Sequence, residues 1–71
     1  MTRATRILLG QRVRALREES NLTQEQLALM TGAGRSYLAK VEAGNSNATI
    51  DFMEKVALGL GVTLGQLFEG L

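Results

Sequence analysis

Apolar residues recur with a helical period along most of this chain. Leu9, Val13 and Leu16 are three or four residues apart, which predicts a first helix over residues 5–20. Near the other end, a second apolar stripe predicts a helix over residues 50–60. The inward members of that stripe are Ile50, Met53, Val56, Ala57 and Leu60.

Between these helices, two shorter apolar-periodic runs meet at Gly32. The first run, residues 24–31, starts with a capping box, because the Thr23 hydroxyl can accept from the Gln26 backbone N–H and the Gln26 side chain can reach back. Gly32 can end it, since a residue without Cβ enters the left-handed region at little cost. The second run covers residues 35–43, and the inward residues of the two runs are Leu27, Ala28, Leu38 and Val41. Two short helices joined by a glycine-containing turn predict a helix-turn-helix.

The chain is expected to form one all-α domain. No stretch alternates with period two for long enough to predict a strand. Thr63 can cap a short fifth helix that runs from residue 64 to residue 68 or 69. We therefore expect a single domain over residues 1–71, with a mobile tail at 1–4 and a dimerisation helix at 63–71.

Composition excludes several classes of protein. The chain has no cysteine and no histidine, which excludes a disulfide framework, a zinc finger and thiol catalysis and removes the commonest general base. The carboxylates are scattered, so we expect no enzyme activity, no metal, no cofactor and no small-molecule ligand. The apolar segments are short and interrupted by charge, so we expect no membrane span, and the absence of a secretory segment predicts a cytoplasmic protein.

Basic residues are concentrated at the start of the chain, although the net charge is only +1. The first seventeen residues contain no acid and carry Arg3, Arg6, Arg12, Arg14 and Arg17. Such an uneven distribution can present one basic face to phosphates. The alternative is a solvated helix face that uses arginine, and charge alone does not separate the two interpretations.

The central motif resembles the helix-turn-helix of the Xre/Cro family of bacterial and phage repressors. The matching residues are Thr23-Gln24-Glu25-Gln26-Leu27-Ala28, Gly32, Ser36-Tyr37-Leu38, Val41-Glu42 and Gly44. The resemblance extends in register over residues 9–68 and implies a five-helix, lambda-repressor-like fold. The sequence departs from the family pattern at Thr31, Ala33 and Gly34, around the turn.

The resemblance implies double-stranded DNA as a partner, with the second helix of the motif in the major groove. Arg35, Ser36 and Lys40 are the expected base contacts, because arginine and lysine donate to guanine O6 and N7. The expected phosphate contacts are Thr23, Gln24, Tyr37, Asn45, Ser46 and Asn47. The alternatives are that the polar row docks on another protein and that Tyr37 is a half-buried packing residue.

Two further roles concern the assembly of the protein. Arg17 and Glu42 match a family pair that forms a salt bridge, which would fix the recognition helix. Apolar side chains near the C-terminus exceed what one small core needs, so we expect a homodimer interface formed by Leu58, Leu64, Phe68 and Leu71. Alternatively, Leu64, Leu67 and Phe68 close the bottom of the monomer core.

The expected function is sequence-specific regulation of transcription by a homodimer on a palindromic operator. The roles left open are a phage-type repressor, an autoregulatory restriction–modification controller and an antitoxin-type repressor. The rival from another class is an antitoxin-like module that sequesters a partner protein. The polar character of Arg35, Ser36 and Lys40 suits base edges better than an apolar partner groove.

Overall fold

The computed structural model describes all residues, 1–71, and contains five α-helices and no strand. The helices are α1 (Arg3–Glu19), α2 (Gln24–Thr31), α3 (Arg35–Glu42), α4 (Ile50–Leu60) and α5 (Leu64–Leu67). The predicted all-α, five-helix fold class is confirmed. The molecule measures 27 × 23 × 20 Å, and none of its helices has the length and apolar character needed to cross a bilayer.

Threonine hydroxyl groups cap four of the helices at their N-terminal ends. The capping residues are Thr2, Thr23, Thr49 and Thr63, and each accepts from the backbone N–H three residues later. The cap at Thr2 starts α1 at Arg3, earlier than the pattern predicted, so Arg3 and Ala4 are helical and do not belong to a tail. α3 follows Gly34 and has no side-chain cap.

Left-handed residues follow α1, α2 and α4, and one of them, Gly32, is where the sequence predicts the end of α2. Gly32 (φ 71°) ends α2 and Gly61 (φ 70°) ends α4. After α1 the left-handed position is taken by Asn21 (φ 56°), and the Leu22 N–H returns to the Arg17 carbonyl at 3.1 Å. These short turns place consecutive helices against one another.

One hydrophobic core joins α1 to α5. Its twelve buried members are Leu9, Val13, Leu16, Leu27, Ala28, Leu38, Val41, Phe52, Met53, Val56, Ala57 and Leu67. α1 packs against α3, and α2 packs against α3 and α4. The recognition helix of the motif is therefore supported from behind by α1 and α2, and one of its faces stays open.

The inward stripe of α4 differs from the prediction at its first turn. Phe52 is buried, whereas Ile50 is 59% exposed and Leu60 is only partly buried. Ile50 lies at the rim of an apolar cleft with Phe68 and Leu71, where no other helix covers it. The apolar period correctly predicts the position of α4 in the chain. Which of its side chains are buried depends on where the other helices pack against it.

Candidate nucleic-acid interface

The outward face of α3 carries the residues predicted to read bases. Arg35, Ser36 and Lys40 are all exposed, while Leu38 and Val41 on the opposite side are buried. Arg35 and Ser36 share a shallow cleft with Gln24 of α2. The first turns of α2 and α3 thus open onto the same part of the surface.

Gly10 allows α1 to approach the end of α3 very closely. A Cβ atom at this position would lie 2.4 Å from the Val41 carbonyl oxygen and 2.6 Å from that of Glu42. Just beyond α3, Gly44 (φ 76°) also lies close to α1, because its Cβ would lie 2.9 Å from Cγ1 and 3.0 Å from Cα of Ile7. These two contacts set where α3 lies along α1, and any larger residue at position 10 would displace it.

A nearly buried ion pair fixes the same end of α3. The Arg17 guanidinium donates to Glu42 through Nε (2.7 Å to Oε2) and Nη2 (3.1 Å to Oε1), and the two side chains are 12% and 3% exposed. Nη1 of Arg17 also donates to the Leu22 carbonyl at 2.7 Å. The structure thus contains the pair that the family resemblance implied, in the bidentate geometry that gives arginine–carboxylate bonds their strength.

The environment of Arg17 stabilises its charged form. The hydrogen bond with Glu42 raises the pKa of Arg17 above its ordinary, strongly basic value. Desolvation opposes this shift, and the charges of Glu42 and Glu18 add to it. Arg17 therefore stays protonated under all ordinary conditions and keeps its bond to α3.

Gln24, predicted as a phosphate contact, also belongs to this network. Its Nε2 donates to Oε1 of Glu42 at 3.0 Å, so the first turn of α2 is tied to the last turn of α3. A primary amide carries two N–H groups, and this bond uses one of them. The neighbouring Thr23 is exposed and caps α2 through the predicted capping box.

Tyr37 is a half-buried packing residue, as the alternative interpretation has it. Its ring meets Phe52 edge to face, with the centroids 4.7 Å apart and the planes at 65°. Its hydroxyl donates to the Asn47 carbonyl at 3.2 Å. A hydroxyl has one hydrogen to donate, so a phosphate contact by Tyr37 requires exchange of this bond. In the loop that follows α3, Asn45 and Asn47 are exposed and Ser46 is half-buried.

The N-terminal arginines do not form one free basic face. Arg12 bonds to α5, Arg14 lies 3.6 Å from Glu18, and Arg17 is engaged with Glu42. Three of the five N-terminal arginines are thus engaged with groups of the protein itself, and a phosphate-attracting role for the group stays a prediction. Arg3 remains exposed and Arg6 is half-buried.

The predicted dimer residues lie on α4, on α5 and in the residues that follow α5. Leu58 is 83% exposed and lines a cleft with Leu64, whereas Phe68 and Leu71 line the apolar cleft next to Ile50. Leu64 and Phe68 are half-buried, and Leu67 between them is fully buried in the core. In the monomer, Leu67 is thus completely buried, and the neighbouring apolar side chains stay partly exposed.

Two positions in α1 carry contacts that the sequence reasoning missed. Gly10 was not singled out, although an isolated glycine inside a helical pattern is a signal of close packing. The sequence presents Arg12 only as one of five N-terminal arginines of a basic face, whereas the structure shows it bonded to the Gln66 carbonyl of α5. No local pattern marks such a contact.

Comparison with known proteins agrees with this geometry. The helix-turn-helix family profile matches residues 13–67. The chain is 41% identical over 70 residues to the control protein C.BamHI of Bacillus amyloliquefaciens, covering 97% of this chain and 86% of that protein. Identity to the control protein C.MunI of a Mycoplasma species is 34% over 67 residues, covering 93% and 90% of the two chains.

Two solved structures are also similar. The restriction–modification controller protein C.AhdI from Aeromonas hydrophila superposes with a TM-score of 0.88 at 38% identity, covering 90% of this chain and 97% of that one. SinR, a master regulator for biofilm formation solved in complex with DNA, gives a TM-score of 0.81 at 34% identity, covering 86% and 98%. The chain therefore belongs to the Xre-type helix-turn-helix family of DNA-binding transcriptional regulators, as do these restriction–modification controller proteins.

Proposed function

We propose that this protein reads a specific DNA sequence by placing α3 in the major groove. The observation that carries the proposal is an exposed row of Arg35, Ser36 and Lys40 on a helix whose inner side is fixed by Gly10 and the Arg17–Glu42 pair. A rigidly held helix keeps its side chains in register with base edges, which is what direct readout requires. The similarity to SinR, which was solved in complex with DNA, supports DNA as the partner.

Phosphate contacts hold the helix in place on either side. Thr23 and Gln24 are at the open end of α2, and Asn45, Ser46 and Asn47 follow α3. Groups at a helix N-terminus and short polar side chains donate to phosphate without reading sequence. Tyr37 contributes through its ring, which packs α3 against Phe52 of α4, and through its hydroxyl when the bond to Asn47 is exchanged.

The active form is a homodimer that uses the α4–α5 surface. An exposed leucine at position 58 and half-exposed Leu64 and Phe68 offer apolar area on elements away from the α3 face, and Leu71 extends it. Asp51, Glu54 and Lys55 line the same cleft as Leu58, so both signs of charge are available for a self-complementary contact. Two-fold symmetry places two recognition helices about 34 Å apart on a palindromic operator.

The biological role that fits best is control of a small operon, including the regulator's own gene. C.BamHI and C.MunI are both control proteins, and each aligns over most of its length with this chain. A dimer whose formation depends on concentration makes such a response steep. The site of action is the cytoplasm, where the operator is, and the proposed activity involves no catalytic step and no cofactor.

The decisive experiment is selection of bound sequences from a random duplex pool at two salt concentrations. We expect enrichment of a palindrome, with affinity that falls steeply as salt rises, since each neutralised phosphate releases counterions. The proposal is contradicted if no sequence is enriched, or if the affinity does not change with salt concentration. If the protein retards no DNA and instead co-purifies with a stoichiometric protein partner, the antitoxin-like alternative is the correct one.

A further inference from the structure

α5 is too short to be stable without help from the rest of the chain. It contains four residues, Leu64–Leu67, and a single helical turn has an unfavourable nucleation cost. Its first end is held by a capping box, in which Gln66 N–H donates to the Thr63 hydroxyl at 3.0 Å and Thr63 N–H donates to Oε1 of Gln66 at 2.8 Å. Its underside is anchored by the buried Leu67.

The other end of α5 is held by Arg12, which lies 54 residues earlier in the chain. Nη2 and Nε of Arg12 both donate to the Gln66 carbonyl oxygen, at 2.9 and 3.3 Å. Nη2 also lies 3.5 Å from the Glu69 carboxylate, which is largely exposed. The Gln66 carbonyl also accepts from the Glu69 N–H at 3.3 Å, so Arg12 adds a charged donor to a helix-terminal carbonyl that has one long backbone bond. Arg12 is therefore the C-terminal cap of α5, supplied by α1.

The geometry of α1 makes this cap a link between two surfaces. Gly10 and Arg17 are seven residues apart, nearly two full turns, so both face α3. Arg12 follows Gly10 by two residues, about 200° around the helix, and so faces the opposite side. α1 thus lies between the recognition helix and α5, and it touches each through a specific contact.

We propose that Arg12 is a positioning residue that sets the distance and angle between the two recognition helices of the dimer. It fixes α5, and with it Leu64 and Phe68, relative to the same rigid helix that fixes α3. This inference rests on the proposed DNA-binding dimer and goes beyond it, because it assigns the choice of half-site spacing to one residue. The DNA-reading face itself does not contain Arg12.

The consequence is a selective defect when Arg12 is lost. Hydrogen bonds from a charged donor change an equilibrium constant by about tenfold or more, so α5 would sample other positions in an Arg12→Gln variant. Each subunit would still read its half-site, since α3 and its supports are unchanged. The dimer would instead lose its preference for one spacing between the half-sites.

The test compares three duplexes: the selected operator, the same operator with one base pair inserted at its centre, and a single half-site. Affinities are measured by fluorescence anisotropy for the parent and for Arg12→Gln and Arg12→Lys, and thermal unfolding is followed by circular dichroism for each. Arg14→Gln is the matched control, since it removes the same charge from the same helix at an exposed pair. Glu69→Gln tests the exposed ion pair alone.

We expect Arg12→Gln to reduce discrimination between the two spacings by about tenfold, while half-site affinity stays within about twofold of the parent. Arg12→Lys should restore part of the discrimination, and Arg14→Gln and Glu69→Gln should behave like the parent. Full discrimination in Arg12→Gln overturns the proposal. So does an equal loss on all three duplexes, since that marks a residue needed only for stability.

The parent protein tests the proposed function separately. If the parent fails to prefer its half-site over random DNA, the proposed readout by α3 is wrong whatever Arg12 does. If the parent reads its half-site and discriminates spacing, but Arg12→Gln discriminates equally well, only the role of Arg12 is wrong. If the parent prefers its half-site over random DNA but binds both operator spacings with equal affinity, both the Arg12 proposal and the fixed dimer geometry are wrong.

Discussion

Removing Arg17 is the perturbation whose effect can be worked out most completely from the structure. The Arg17→Met substitution keeps a long side chain of helix-forming type on α1 but deletes the guanidinium. Glu42 then loses two hydrogen bonds, at 2.7 and 3.1 Å, and retains only the bond from Gln24. The Leu22 carbonyl loses its donor as well.

The expected magnitude follows from burial. Because the Glu42 side chain is 3% exposed, water cannot replace the lost partner, and deleting one member of such a buried pair costs about 3–5 kcal/mol. A domain of this length has a total free energy of unfolding of about 4–11 kcal/mol. Arg17→Met therefore removes a large share of the stability, and the melting temperature should fall by at least about 12 °C.

The assay is urea unfolding followed by far-ultraviolet circular dichroism, with Arg14→Met as the control. Arg14 belongs to the same helix and pairs with Glu18, but both side chains are more than half exposed, so this loss should stay below about 1 kcal/mol. The double variant Arg17→Met/Glu42→Leu should recover much of the lost stability, since it leaves no unpaired buried charge. With the single variant Glu42→Leu as the fourth protein, the double-mutant cycle measures the coupling between the two side chains.

The pH dependence gives a second check with a defined sign. A pKa that is higher in the folded protein contributes stability that is complete below the unfolded pKa and is lost only as pH rises through the folded one. For Arg17 both values lie far above neutral, so the cost of Arg17→Met should be the same at pH 6 and at pH 9. An Arg17→Met variant no less stable than Arg14→Met would refute the reasoning from burial.

The remaining predictions concern binding and packing. Arg35→Ala should lose about 1–3 kcal/mol of binding free energy on the selected operator and little on random DNA, as measured by fluorescence anisotropy. Equal losses on both DNAs would make Arg35 a phosphate contact. Gly10→Ala should cost about 1–3 kcal/mol in urea unfolding because its Cβ meets backbone oxygens of α3. Gly65→Ala should be neutral or stabilising, since its Cβ would make only an ordinary contact, 3.8 Å from the Thr63 hydroxyl; equal effects of the two substitutions contradict the close approach. Leu58→Glu should shift the sedimentation coefficient towards that of a monomer and leave half-site affinity unchanged. Leu8→Glu, an exposed leucine on α1, is the control and should sediment like the parent. If Leu8→Glu weakens the dimer and Leu58→Glu does not, the interface lies elsewhere.

The helices and the turn were predictable because their determinants are local. A threonine and a glutamine three residues apart are enough to start α2, and a glycine without Cβ is enough to end it. The exposed polar row of α3 follows from the same period that buries Leu38 and Val41. In each case, the residues that decide the outcome lie within one or two helical turns.

The Arg17–Glu42 contact was reached by a different route. Spacing alone gives no reason to pair residues on two separate helices, and only the family resemblance suggested this bond. The structure adds what the resemblance did not supply, namely the third partner Gln24 and the bond to Leu22. The sequence leaves two roles open for Tyr37. The structure shows its ring packed against Phe52, and the phosphate contact through its hydroxyl stays a prediction.

The amino-acid sequence by itself determined the all-α class, the caps, the glycine turns and the outward chemistry of the recognition helix, because these depend on short-range period and on hydrogen bonds between near neighbours. Only the tertiary structure decided that α3 packs closely against Gly10, that Arg12 caps α5 and that Ile50 stays exposed. Those outcomes depend on how one helix is rotated and shifted against another. That arrangement is a property of the whole packed core, and no single stretch of the chain encodes it.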